Sequence, residues 1–369
     1  MDCKWSQEHI SIDQYGKFRP CCGWQGHTNE DPHLNFQDHS IQQYLDSDFK
    51  KNINNRLAQN QWPGGCHKCM ITENNQTISL RTERVRLIRD MEIKFGNLCN
   101  LGCYMCTADK SSLLHKTYSD MIQAGLGDNR IQDEVEHHEK RQNKISVAWY
   151  DNPDKIVELA QYAATRERIR FTGGEPTVNT YLKHFLEELC IHNTNIVLRI
   201  TTNGMSLSDA LLRLLSKFKQ VQLTYSIDGT GVHNEYMRYP SNWNKIQTNY
   251  NKAKTLPNVV FDINTVVSFL NVHLLNPVIE WGLNNGAIKH TFLPVHEPKM
   301  LHPGLSYNWQ KDIFNETVNR FKDHKHIELH KCNAFVNKEQ TDLTDTFSLL
   351  DRLDTHRNTD WRTTFGIET

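Results

Sequence analysis

From residue 91 onward, short apolar or β-branched runs alternate with segments whose apolar residues recur every three or four positions. The runs are MEIKF (91–95), IRFT (169–172), IVLRITT (196–202), VQLTYSI (221–227), VVFDINTVV (259–267) and HTFLPV (290–295). Several are nearly continuous, as expected of strands buried on both faces. Between them, Val178, Tyr181, Leu182, Phe185, Leu186 and Leu189 mark one helical face. Leu211, Leu212, Leu215 and Phe218 mark a second, and Trp243, Ile246, Tyr250 and Ala253 a third. Six strands alternating with helices predict a parallel α/β domain. Periodicity alone does not separate an open barrel from a doubly wound sheet, but in both the active site lies at the carboxyl ends of the strands. The first connection, roughly 107–168, is much longer than the others. His137 and His138 within it lack flanking ligands and read as a solvated helix face. One more helix is expected from Trp309 to Phe321, followed by a polar stretch.

Composition narrows the class. Hydrophobic residues make up 38% of the 369, and charged residues 23%, enough for a sizeable core. The formal net charge is −1, which carries no electrostatic footprint for nucleic acid or an anionic membrane. No apolar run approaches the roughly 20 residues of a membrane helix, and the first ten residues contain no signal-peptide core. The expected location is the cytoplasm, where ten cysteines are metal ligands or reactive groups rather than disulfides. Eight of the ten lie between Cys3 and Cys106; Cys190 and Cys332 follow. Cys190, ending an amphipathic helix, reads as a buried core thiol.

The first strand runs into GNLCNLGCYMC, which places Cys99, Cys103 and Cys106 on one loop. Three thiolates can hold three irons of a cubane and leave the fourth open to a small molecule; four would suit electron transfer. A zinc site would need a fourth ligand at readable distance, and none is near. The second strand ends in GGEP (173–176), the third in TTNG (201–204), and the fourth in SIDG (226–229), followed by EYMRYP (235–240). In the front of the chain, Cys3, Gly16 and the pair Cys21–Cys22 form one half of a second pattern, and Cys66 and Cys69 of CHKC the other. By chemistry alone, zinc and a fully ligated [4Fe–4S] cluster suit this framework equally.

CNLGCYMC resembles the cysteine motif of the radical S-adenosylmethionine (SAM) superfamily, and GGEP resembles that family's second motif. The resemblance implies a partial (β/α)6 barrel. It also implies a [4Fe–4S] cluster on Cys99, Cys103 and Cys106 whose open iron chelates SAM. One electron then cleaves the sulfonium to a 5′-deoxyadenosyl radical, which abstracts hydrogen from substrate. It assigns SAM contacts to Gly173, Gly174 and Glu175, and to Ser226 and Asp228. Asn203 and Arg238 are further contacts, against a turn residue and a surface ion pair as their plain readings. Asn264 is another polar candidate. Val295 reads as core rather than as an adenine contact. The Cys-x12-Gly-x4-Cys spacing, DQYGKFRPCC, GGCHKC, SLR (79–81) and the late LLDRLDTHRNTDWR (349–362) resemble a group with SPASM or twitch auxiliary-cluster domains, here placed before the barrel. That favours a second [4Fe–4S] cluster on Cys3, Cys21, Cys66 and Cys69, with Cys22 the alternative to Cys21.

The expected organisation is a cysteine-rich twitch-like domain over 1–85, a radical SAM core over 86–305 and a helical extension over 306–369. The expected substrate is a peptide or small polar metabolite, and the electron donor a flavodoxin or ferredoxin. The rival reading is a non-catalytic metal-binding module on a degenerate barrel, against which the intact motifs argue.

Overall fold

The computed structural model describes residues 3–24, 34–74, 79, 81–82, 89–142, 148–338 and 342–367; Leu80 of the SLR motif lies outside them. Eight strands form one sheet: β1 (Ile10–Ile12), β2 (Phe18–Arg19), β3 (Asp90–Ile93), β4 (Arg168–Phe171), β5 (Val197–Thr202), β6 (Gln220–Ser226), β7 (Val259–Val267) and β8 (Lys289–Pro294). Their order is β2-β1-β3-β4-β5-β6-β7-β8. The pairs β1–β3, β3–β4, β4–β5 and β7–β8 are parallel, and β1–β2 is antiparallel. From β3 to β8 the order never reverses. A doubly wound sheet reverses at its switch point, so the winding is that of a continuous (β/α) series.

All six predicted strands are present, and two more precede them. β1 and β2 are three and two residues long, too short to show a period. The predicted helices are found at Thr180–His192, Asp209–Leu215, Trp243–Lys254 and Asn308–Phe321. Val178 falls in a separate 3-10 turn, Pro176–Val178, because Asn179 caps the following helix by accepting from Tyr181 N–H. The long first connection holds helices Ser112–Gln123, Asn129–Gln142 and Pro153–Ala163. There the reading of His137 and His138 needs correcting: His137 is exposed, but His138 is buried with its ring centroid 4.5 Å from that of His115. Position 138 follows Ile131 and Val135 on the buried stripe of its helix. Cys190 is only half-buried, whereas Cys332 is buried in an apolar cluster with Phe314, Ile327 and Val336.

The chain divides into two compact units. The first comprises Met1–Asn97, Lys140–Ile200 and Asp209–Val221, the second Leu98–Glu139, Thr201–Ser208 and Gln222–Thr369. In the first, Phe95, Phe171 and Phe185 pack together, with Trp149 stacked on Phe95. In the second, Tyr104, Leu114, Tyr118, Phe269, Leu350 and Trp361 belong to one buried cluster. Among the described residues no helix is long and apolar enough to cross a membrane.

One buried charge organises the first unit. Asp90 on β3 meets the guanidinium groups of Arg168 and Arg170 on the neighbouring strand, each at 2.6 Å. Removing one member of a buried ion pair strands the other charge. Asp90→Ala is therefore expected to lower the stability of the fold by about 3 kcal/mol, read as a lower denaturant midpoint at unchanged slope. A loss under about 1 kcal/mol would show that solvent screens these arginines.

Candidate functional site

In the second unit, the cysteine loop is held almost entirely through its backbone. The N–H of Cys99 donates to Ser112 Oγ at 3.1 Å. Ser111 Oγ donates to the Leu101 carbonyl at 2.6 Å and accepts from Leu114 N–H, so one hydroxyl both fixes the loop and caps the next helix. Gly102 N–H donates to the Tyr239 carbonyl at 2.7 Å and Tyr104 N–H to the Met237 carbonyl at 3.3 Å. The Arg357 guanidinium donates to the Gly102 carbonyl at 2.6 Å. The Tyr104 hydroxyl is 2.6 Å from Ser268 Oγ. These contacts fix the backbone that carries the three thiols.

Cys103 is buried, and Cys99 and Cys106 are partly buried. Burial pushes the Cys103 thiol up to about 12. Arg238 opposes the rise, and Cys106 and Cys99 are close enough to add to it. Burial also raises Cys106. Burial thus disfavours the thiolate forms of Cys103 and Cys106; a bound metal core would reverse that preference, because thiolate ligation releases the proton. Three thiols on one loop, with a guanidinium beside Cys103, fit the ligand set of a cluster with one open iron.

Arg238 Nη1 lies 4.0 Å from Cys103 Sγ. Its position is set by Asp228, 2.8 Å away. The sequence suggested a surface ion pair as the plain reading of Arg238. The pair exists, but it is buried. Asp228 is in turn fixed on several sides: Oδ1 accepts from Val266 N–H at 2.7 Å, its N–H donates to Asn234 Oδ1, and its carbonyl accepts from Asn271 Nδ2. Asn203 fills the turn role and also touches the cysteine loop. Its Oδ1 accepts from Met205 N–H in the turn, and its Nδ2 donates to Asn100 Oδ1 of the cysteine loop, both at 2.9 Å. Ser226 and Asn264 are half-buried, the latter lending its carbonyl to Ile227 N–H. Val295 is buried in the core.

The second motif lies in the first unit. Gly173 and Gly174 have φ of +82° and +53°, a region costly for residues with a Cβ. A Cβ on Gly173 would also sit 3.0 Å from Lys94 Cβ. Glu175 is buried, and its Oε1 accepts from Thr177 N–H and Thr177 Oγ1, capping the turn after Pro176. One carboxylate oxygen is thus committed to local structure, which Glu-Pro-Thr could have signalled as a cap.

The front cysteines also converge. Between Cys3 and Cys21, the β1–β2 hairpin turns at Asp13–Gly16, with Gly16 N–H on the Asp13 carbonyl. That turn returns the chain to Cys3. Cys3, Cys21, Cys66 and Cys69 line one pocket with Trp5, Trp24, Trp62 and Arg81. Gly65 brings Cys66 there, since a Cβ on Gly65 would meet the Trp24 indole at 2.2 Å. Cys22 is exposed and lies outside that lining. Arg81 is paired with Glu73 and lies over the Trp62 ring. Burial raises the Cys3 and Cys21 thiols. Lys50, buried and donating to the His9 carbonyl, is pushed down to about 8 by burial, with Cys21 and Cys3 opposing. Among the described residues no three His, Cys, Asp or Glu side chains meet at a single-ion position.

The sequence missed Ser268, Asn271, Tyr239 and Arg357. Their contacts are long in sequence, and only EYMRYP, which contains Tyr239, and the late motif containing Arg357 carried any signal. The buried Asp228–Arg238 pair generates an expectation. Asp228→Ala should cost about 3–5 kcal/mol in thermal or chemical unfolding, since it leaves a buried guanidinium uncompensated. A variant as stable as wild type would show that Arg238 escapes to solvent.

Residues 93–276 match the Radical SAM superfamily. An uncharacterized protein of Methanocaldococcus jannaschii is 23% identical over 240 residues, spanning 63% of this chain and 71% of its own. Among solved structures, anSMEcpe with bound AdoMet is similar at 18% identity over 68% of each chain, with a TM-score of 0.46. Streptococcus suis SuiB bound to the precursor peptide SuiA is 11% identical, covering 92% of this chain and 76% of that one, with a TM-score of 0.43. Residues 93–276, with the cysteine loop, GGEP and the Asp228–Arg238 pair inside them, form a radical SAM superfamily domain.

Proposed function

We propose that the protein is a radical SAM enzyme that binds a [4Fe–4S] cluster on Cys99, Cys103 and Cys106 and cleaves SAM reductively. The observation that carries this reading is the loop itself: three thiols, one buried and two partly buried, on a backbone fixed by Ser111, Ser112, Tyr239 and Arg357. When bound, the cluster supplies the electron that breaks the sulfonium C–S bond, and an open iron to chelate SAM. The chain's own residues orient and shield. Arg238, locked by Asp228, places a positive charge beside Cys103. Gly173 and Gly174 hold a backbone conformation that exposes peptide groups. Glu175 offers a buried carboxylate suited to the SAM ammonium.

The front pocket supports a second, auxiliary [4Fe–4S] cluster on Cys3, Cys21, Cys66 and Cys69, in a twitch-like arrangement. Its support is the convergence of four thiols in an indole-lined pocket, with Cys22 left outside. Bound on these four cysteines, an auxiliary cluster would accept an electron from a substrate radical, anchor substrate or hold the fold of this region. The substrate class is a peptide or a small polar metabolite, and the electron donor a flavodoxin or ferredoxin.

Reduced, reconstituted protein incubated with SAM is expected to yield 5′-deoxyadenosine, and the Cys103→Ala variant none. Equal yields from the two would overturn the central reading. Anaerobically reconstituted wild type is expected to hold about eight irons. The triple Cys99, Cys103 and Cys106→Ala variant should keep about half. Wild-type protein with about four irons and one zinc would restrict iron to the catalytic loop and remove the auxiliary cluster.

A further inference from the structure

Arg357 ends the helix Thr344–Arg357 and is buried. Its guanidinium donates to the Gly102 carbonyl at 2.6 Å and lies over the Tyr239 ring, 4.9 Å from the centroid. Tyr239 accepts the Gly102 N–H through its own carbonyl at 2.7 Å. Both backbone polar groups of Gly102 are thus engaged, one by Tyr239 and one by the arginine stacked on it. Gly102 immediately precedes Cys103. A Cβ on Gly102 would lie 3.6 Å from Arg357 Nη2, so the guanidinium packs directly on the ligand loop.

The charge balance around Arg357 is unusual. Its neighbour Arg238 has Asp228, and Arg352 on the same helix has Asp128. Among the described residues no carboxylate pairs with Arg357, and its Nε has no hydrogen-bond partner. A buried cation without an anion is costly. The groups that favour its charge are the phenols of Tyr118, Tyr236 and Tyr239 and the thiol of Cys103. Of these, the Cys103 thiol is the group that would carry a negative charge when it ligates metal.

We propose that Arg357 is a positioning residue of the catalytic cysteine loop, and that its carboxylate-free charge is the counter-ion of the thiolate-bound cluster. The proposal rests on the cluster assignment made above. A thiolate-ligated cluster gains one negative charge on reduction, so a buried cation nearby favours the reduced form, and its removal disfavours it. The end of the helix is fixed independently of Arg357. Asp354 accepts from the Tyr236 hydroxyl at 2.7 Å and from Trp361 N–H at 2.6 Å, and Leu353 and Trp361 are buried. Substitution at 357 therefore leaves the helix in place.

The test is an anaerobic redox titration followed by electron paramagnetic resonance on reconstituted full-length protein. The catalytic cluster is identified as the signal lost in Cys103→Ala. Arg357→Met, which removes the charge, should shift the midpoint potential of that signal to more negative values. Arg357→Lys, which keeps it, should stay near wild type. Iron content and apo-protein melting temperature are measured alongside. A folded Arg357→Met that holds less iron, with iron restored in Arg357→Lys, also supports the proposal. Wild-type potential and iron content in Arg357→Met would overturn it, as would equal shifts in both variants, which would mark packing rather than charge. If Arg357→Met does not fold, Arg357→Gln, which keeps an N–H donor but no charge, carries the same comparison. Absence of any Cys103-dependent signal in wild type would sink the cluster assignment itself, and the Arg357 proposal with it.

Discussion

A carboxylate with no solvent exposure keeps its charge only if its surroundings supply compensation, and Asp228 is the place where this requirement organises the second unit. Its side chain binds Arg238 and the Val266 N–H, while its backbone is held by Asn234 and Asn271. Asn271 also receives the N–H of Ser268, whose hydroxyl meets Tyr104 between the second and third cysteines. One anion thus sets the guanidinium beside Cys103 and, through a chain of short polar contacts, the strand end and turn that support the loop. Polar networks of this kind tie segments far apart in sequence to one another.

The front of the chain solves a different problem. Few residues there belong to a core of their own: Cys3, Trp24, Ile53 and Leu57 are buried, with Trp5, Cys21, Phe49 and Cys66 packed against them. The thiols are part of that small core, so thiol chemistry and packing are not separable in this region. The twelve residues between Cys3 and Gly16 read as mere spacing in the sequence. In the structure they are a short helix and a strand leading into a hairpin, and Gly65 against Trp24 closes the other side.

The sequence revealed what is local. The spacing of Cys99, Cys103 and Cys106, the GGEP turn and the longer strands all follow from contacts within a few residues. Arg238 was visible as a candidate SAM contact or a surface ion pair; its burial was not, since it depends on residues 228, 234 and 266. β1 and β2 escaped because two or three residues carry no period, and their existence depends on pairing with β3. His138 was misjudged because a polar residue on a buried helical stripe is overruled by the Ile131 and Val135 that share it. Glu175 was read for its charge, although the Pro-Thr that follows makes it a cap.

The bond between Arg357 and Gly102 spans 255 residues. During synthesis the chain emerges in order, so the cysteine loop is translated long before the helix that grips it. For that interval Cys99, Cys103 and Cys106 lack one of the supports that shield them, and the neighbouring Tyr239 ring lacks its cation. The loop is finished as a binding site only when the last helices have folded back onto it. On the proposed cluster assignment, metal would enter a completed loop only after these helices have folded.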